Sequence, residues 1–141
     1  MAEKITGGCR CGAVRYECDA APLFGVTCYC TDCQKFYGGE KSTALVLPRE
    51  ALQVTGDVTY YAVTGDSGQP VDRGFCPTCG TPLIGKPGIA PHLITVTTGS
   101  LDDAGGFKTA MRVYTSSAQP WAHIPEDVPC FEKMPDKIPE M

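Results

Sequence analysis

Seven of the nine cysteines fall in three short clusters: Cys9-Arg10-Cys11, Cys28-Tyr29-Cys30-Thr31-Asp32-Cys33 and Cys76-Pro77-Thr78-Cys79. This spacing constrains the fold more than any other feature of the chain. Thiolates two or three residues apart can reach one ion together, whereas a disulfide joins Cβ atoms that face each other, usually from distant segments. A secreted disulfide scaffold would also need an export signal and, as a rule, an even cysteine count. The start, Met1-Ala2-Glu3-Lys4, shows no signal-peptide apolar region, and no later stretch reaches about 18 consecutive apolar residues. The expectation is a metal-binding protein of the reducing cytoplasm without a membrane segment.

Seven thiolates exceed what one tetrahedral zinc accepts, so they divide into a four-sulfur site and a three-sulfur site. Cys76-Pro77-Thr78-Cys79-Gly80 reads as a zinc knuckle, in which backbone N–H groups point at sulfur and Gly80 supplies a positive φ. A thioredoxin-type dithiol would sit at a helix N-terminus, which Pro77, Gly80 and Pro82 oppose. Cys9 and Cys11, at i and i+2, are expected on one face of a strand. With the knuckle they complete a closed Cys9, Cys11, Cys76, Cys79 site for a structural zinc. Cys28, Cys30 and Cys33 form a local tripod for a second zinc, with a fourth position left to water, a thiol or a further ligand. Asp32, Cys18, Cys130, His92 and His123 are the candidates for such a ligand. At an open position zinc lowers the pKa of bound water or thiol. Three thiolates weaken its Lewis acidity, which favours thiol chemistry over hydrolysis.

Runs rich in Val, Thr, Tyr and Ile, bounded by Gly, Pro and Asp, predict strands over 13–18, 23–28, 42–47, 58–63, 71–75, 92–97 and 108–115. One short helix is expected from Thr31 or Asp32, as the N-capping residue, to Tyr37, stopped by Gly38-Gly39. At 141 residues the chain reads as one domain, 1–141, with a core over about 7–121 and an extended Pro-rich tail over 122–141 that frays at its end. The net charge of -4 argues against nucleic acid and anionic membrane as partners.

The clusters in their context resemble the glutathione-dependent formaldehyde-activating enzyme family, which also contains centromere protein V. The matching stretches are Gly7-Gly8-Cys9-Arg10-Cys11-Gly12-Ala13-Val14-Arg15-Tyr16, Cys28-Tyr29-Cys30-Thr31-Asp32-Cys33 and Phe75-Cys76-Pro77-Thr78-Cys79-Gly80-Thr81-Pro82-Leu83. Gly99-Ser100-Leu101-Asp102-Asp103 and the stretch from Tyr114 to Trp121 add to the likeness, which runs over about 7–135. The resemblance implies an all-β, β-tent-like fold with two zinc ions per chain. It implies a structural ion on Cys9, Cys11, Cys76 and Cys79 and a catalytic ion on Cys28, Cys30 and Cys33. The implied activity is condensation of glutathione with formaldehyde to S-(hydroxymethyl)glutathione, formally a carbon–sulfur lyase run in reverse. Two glutathione carboxylates call for a cationic pocket, for which Arg10, Lys35, Lys41 and Arg73 are candidates, with Phe36, Tyr37 and Trp121 as candidate walls. The alternatives are a zinc-stabilised protein- or chromatin-binding module without catalysis, and a thiol-based metal or redox protein.

Overall fold

A computed structural model describes residues 4–136. In chain order its elements are β1 (Ile5–Gly8), β2 (Arg15–Cys18), β3 (Phe24–Cys28), α1 (Thr31–Tyr37), β4 (Ser42–Pro48), β5 (Leu52–Thr55), β6 (Thr59–Thr64), β7 (Pro70–Phe75), β8 (Pro82–Pro87), β9 (Leu93–Thr97) and β10 (Met111–Val113). The all-β expectation holds, with one short α-helix among the described residues. The strands form a small sheet, β1-β2-β5, and a large one, β10-β3-β4-β9-β8-β7-β6. Neighbours are antiparallel except β10 and β3, which run parallel.

Side chains along a strand alternate between faces, and the register of the large sheet separates two environments. Leu45 pairs with Val96 and Val96 with Ile84, while Leu47 pairs with Ile94. This face packs with Val14, Tyr16 and Cys18 into one apolar cluster under the small sheet. Leu47, Leu83 and Val96 are fully buried there, each stabilising the fold by about 1.5–3 kcal/mol relative to an exposed side chain. The other face carries Cys28 between Val113 and Ser42, Val26 beside Ala44, and Gly85 between Thr95 and Arg73. That second face is not filled by core.

Three strands, β1, β5 and β8, form where no strand was expected. For β1 and β8 the reasons are tertiary. Gly7 lies where a Cβ would collide with the Tyr16 hydroxyl and the Ser100 carbonyl, so close approach of chains, not propensity, selects glycine there. β8 has proline at both ends, which costs no interior ladder bond, and Gly85 makes room for the Thr95 side chain. The strand expected over 108–115 shrinks to β10. Thr109 instead turns its hydroxyl onto the Met111 carbonyl at 2.8 Å, and Tyr114 adopts a left-handed conformation, φ 57°.

Beyond β10 the chain returns along its free side. The Arg112 N–H donates to Pro129 O at 2.9 Å and the Phe131 N–H to Arg112 O at 2.8 Å, so this sheet edge is covered. The Arg112 guanidinium donates to Asp127 at 2.6 Å and to Pro125 O at 2.9 Å, holding the tail in place. The fraying expected at the end of the tail lies outside the described residues. No helix among them is long and apolar enough to cross a membrane.

Gly7→Ala is expected to destabilise the protein by about 1–3 kcal/mol, as overpacking does, whereas Gly99→Ala, which meets nothing within 4 Å, should change stability by less than about 0.5 kcal/mol. Urea unfolding curves of the two variants make the comparison.

Candidate functional site

Cys9 and Cys11 lie in a tight turn after β1, not on a strand. The Gly12 N–H donates to Cys9 O at 3.2 Å, the Cys9 N–H to Val14 O at 3.0 Å, and Gly12 takes φ 83°. A turn rather than a strand brings the two sulfurs to 3.6 Å of each other, closer than the splay of an extended strand favours. The second turn is the expected knuckle. The Gly80 N–H donates to Cys76 O at 2.8 Å with φ 79°, and the N–H groups of Thr78 and Cys79 both donate to Cys76 Sγ at 3.4 Å. The turns are stitched by the Arg10 N–H donating to the Thr81 hydroxyl at 3.1 Å. All four sulfurs then lie within 4.8 Å of one another, with Cys9 and Cys76 buried and Cys11 and Cys79 exposed. A hydrogen bond from the Thr81 hydroxyl, 3.2 Å away, chiefly pulls the Cys79 thiol down to about 5.

The second cluster grows from one strand end and one helix start. Cys28 closes β3, and Cys33 sits in the first turn of α1. Cys30 itself is the N-cap, in place of the expected Thr31 or Asp32: its Sγ accepts from the Cys33 N–H at 3.3 Å. This hydrogen bond turns the Cys30 sulfur back towards Cys28 and Cys33, so capping and clustering are one act. Gly38, at φ 73°, ends the helix with its N–H on Gln34 O. The Gln34 amide donates to Tyr29 O at 2.7 Å and Ser117 O at 3.1 Å and accepts from the Gln119 amide, which ties α1 to the loop after β10. Tyr29 points away from the sulfurs into full burial, its hydroxyl donating to His123 O at 3.3 Å.

Cys28, Cys30 and Cys33 also lie within 4.8 Å of one another. Three sulfurs this close cannot all ionise without a cation. Hydrogen bonding to Cys30 and Cys33 pushes the Cys28 thiol up, while bonds from Cys28 and Cys30, with a smaller share from Arg73, pull Cys33 down to about 2. A divalent ion removes that conflict, since each ligand thiol is deprotonated when it binds. All-sulfur donor sets suit zinc and other thiolate-seeking ions, and they disfavour magnesium or calcium. Both clusters therefore fit a metal. All nine cysteines are free thiols.

The surroundings of the two clusters differ. The three-sulfur cluster opens onto a cavity of about 870 Å³, whose floor is the unfilled face of the large sheet. Val26, Ala44, Val63 and Val71 make its apolar wall, and Tyr37 and Tyr114 flank it. None of the four-sulfur cluster lines this space. Burial chiefly raises both tyrosine hydroxyls to about 12, which keeps them protonated at neutral pH.

Among the expected cations, Arg73 lines the cavity; Arg10, Lys35 and Lys41 do not. Lys41 instead pairs with Glu40 at 3.3 Å. Of the expected walls only Tyr37 serves. Phe36 packs edge-on against Phe75 with ring centroids 6.1 Å apart, and Trp121 is 68% exposed. Asp32 lines the cavity, but among the described residues no further His, Cys, Asp or Glu joins the trio within 4.8 Å. Cys18 is buried in the core, Cys130 contacts Pro125 and Val128 carbonyls in the tail, and His92 borders a separate shallow hollow. Sequence reasoning missed Tyr114 and the β6–β7 turn residues Asp66 and Ser67 as cavity lining.

Titrating reduced, metal-free protein with cobalt(II) is expected to saturate at two ions per chain with sulfur-to-metal charge-transfer absorption. Saturation at one ion would show that one cluster does not bind.

Two comparisons with known proteins bear on this site. A family model described as glutathione-dependent formaldehyde-activating enzyme matches residues 4–117. A crystal structure of a Rhodobacter sphaeroides protein superposes with a TM-score of 0.57 at 22% sequence identity, covering 72% of this chain and 91% of that one. The second is a likeness of fold.

Proposed function

Because the chain belongs to the glutathione-dependent formaldehyde-activating enzyme family, we propose that it is a zinc-dependent enzyme of carbon–sulfur lyase type. In this reading it joins a small thiol such as glutathione to an aldehyde such as formaldehyde. Cys9, Cys11, Cys76 and Cys79 hold a zinc that braces the fold, and Cys28, Cys30 and Cys33 hold the zinc of the reaction. The observation that carries the reading is the contrast in access. Three sulfurs face a cavity of about 870 Å³, while four sulfurs are packed between two turns beside the core. A closed set of four thiolates leaves no position for a substrate, and a set of three leaves one.

When bound at the trio, zinc supplies positive charge that favours a substrate thiolate at neutral pH. The protein does the rest. Cys28, Cys30 and Cys33 are held by the end of β3 and the N-cap of α1, so the sulfurs are placed before substrate arrives. The apolar wall of Val26, Ala44, Val63 and Val71 limits water around the reacting atoms. Placing the thiol sulfur beside the carbonyl carbon turns a two-body encounter into a local one. The new bond is S–C; the carbonyl π pair moves onto oxygen, and the proton lost by the thiol is returned to that oxygen from water. Run backwards, the same step is the lyase reaction. A reducing compartment such as the cytoplasm belongs to this reading, because seven clustered thiols hold metal only while reduced.

The test is formation of S-hydroxymethyl product from formaldehyde with glutathione, cysteine or 2-mercaptoethanol, using protein carrying two zinc ions. No rate above the uncatalysed reaction with any of the thiols sinks the proposal. The division of labour has its own test. Cys76→Ser is expected to lower the thermal midpoint by more than about 10 °C, since structural metal binding is folding free energy. Cys33→Ser should keep the fold, lose one metal ion and lose activity. Equal unfolding of both variants would refute the division.

A further inference from the structure

Arg73, in the middle of β7, is a buried charge without an ion-pair partner among the described residues. It is 8% exposed. One terminal nitrogen donates to Cys33 Sγ at 3.9 Å, a long contact, and the Tyr37 hydroxyl lies near enough to take a further hydrogen bond, which leaves others of its five donors. No buried side-chain nitrogen or oxygen is left without a partner among the described residues. The remaining Arg73 N–H groups are therefore not sealed in apolar packing; they open to the cavity that Arg73 lines. The sheet makes this possible. Arg73 pairs with Gly85 on β8, so it lies on the sheet face that the core leaves uncovered. The other charged groups on the cavity wall, Asp32, Asp66, Lys133 and Asp136, are exposed.

A buried guanidinium with free donors next to a sulfur cluster suits an anionic oxygen. The proposed addition makes one there. A sulfur that joins Cys28, Cys30 and Cys33 sits in contact with Cys33, and the carbonyl oxygen of the adding aldehyde is two bonds from that sulfur. We infer that Arg73 is the oxyanion-holding catalytic residue of this cavity, donating its free N–H groups to the oxygen that becomes negative as the S–C bond forms. The inference rests on the reading that a thiol adds to a carbonyl at the trio. The electron pair of the broken C=O π bond stays on that oxygen until water protonates it, and Arg73 keeps its own protons throughout. A charge present only after addition makes the contact stronger in the transition state than in the bound reactants, which is where binding accelerates a reaction.

The experiment has a binding arm and a kinetic arm. By calorimetry on the two-zinc protein, thioglycolate, a short thiol carrying an anionic oxygen, is expected to bind at least tenfold tighter than 2-mercaptoethanol. Arg73→Gln should abolish that preference, and Arg73→Lys should keep part of it. Arg73→Gln should lower kcat for formaldehyde addition by about 10²–10³-fold with KM for the thiol little changed and two metal ions retained. Equal binding of the two probes to the unmodified protein overturns the inference, as does a preference that survives Arg73→Gln. Loss of the second metal ion in both Arg73→Gln and Arg73→Lys would assign Arg73 to holding the cluster instead. A thioglycolate preference that depends on Arg73, in protein without turnover, would leave Arg73 as a site for an anionic oxygen, overturn its catalytic role and refute the proposed reaction.

Discussion

Four sulfur atoms from turns some 65 residues apart meet within 4.8 Å of one another beside the apolar core. Everything else in the structure is arranged around that convergence. Four thiols at such distances do not share charge comfortably, so a divalent ion turns mutual repulsion into a cross-link. Such a link would hold the turn after β1 against the turn after β7, and with them the small sheet on one face of the large one. Loop-closure entropy grows slowly with loop length, and a bond across this span removes much of the freedom of the unfolded chain.

Once that face is committed to the core, strand alternation decides the other. Leu45, Leu47, Ile94, Val96 and Ile84 point inward, and alternation turns most of their neighbours in sequence to the other face. Cys28, Ser42, Ala44, Thr95 and Arg73 are left on a face covered only in part, and this incomplete covering is the cavity. The three-sulfur cluster stands at its edge because β3 ends at Cys28 and α1 begins at once. The different surroundings of the two clusters follow from which side of a single sheet each occupies.

Much of this was legible along the chain, for a clear reason. Six of the seven expected strands lie within a residue or two of β2, β3, β4, β6, β7 and β9, because branched and aromatic residues between Gly, Pro and Asp report pleated, half-buried backbone locally. The grouping of cysteines was legible because short spacing limits where a sulfur can go. The failures share a different cause. β1 and β8 hold glycines and prolines whose role is to let another chain segment come close, and a one-dimensional pattern does not carry that. The same holds for Cys9 and Cys11, expected on a strand and found in a turn held by Val14. It holds too for Cys30, which caps its helix with sulfur where a hydroxyl or carboxylate was expected.

The sequence by itself determined that the chain is mostly β, that its cysteines work in groups of four and three, and which family it belongs to. The first two rest on composition, period and spacing, which are properties of neighbours along the chain; the family rests on the likeness of whole motifs and the family-model match over residues 4–117. Tertiary structure alone decided which cluster opens to a cavity, that Arg73 is the buried cation beside it while Arg10, Lys35 and Lys41 stay outside, and that Tyr37 flanks the site while Trp121 faces solvent. Access and charge at a site depend on which sheet face is covered and by what, and that is settled only when segments far apart in sequence pack together.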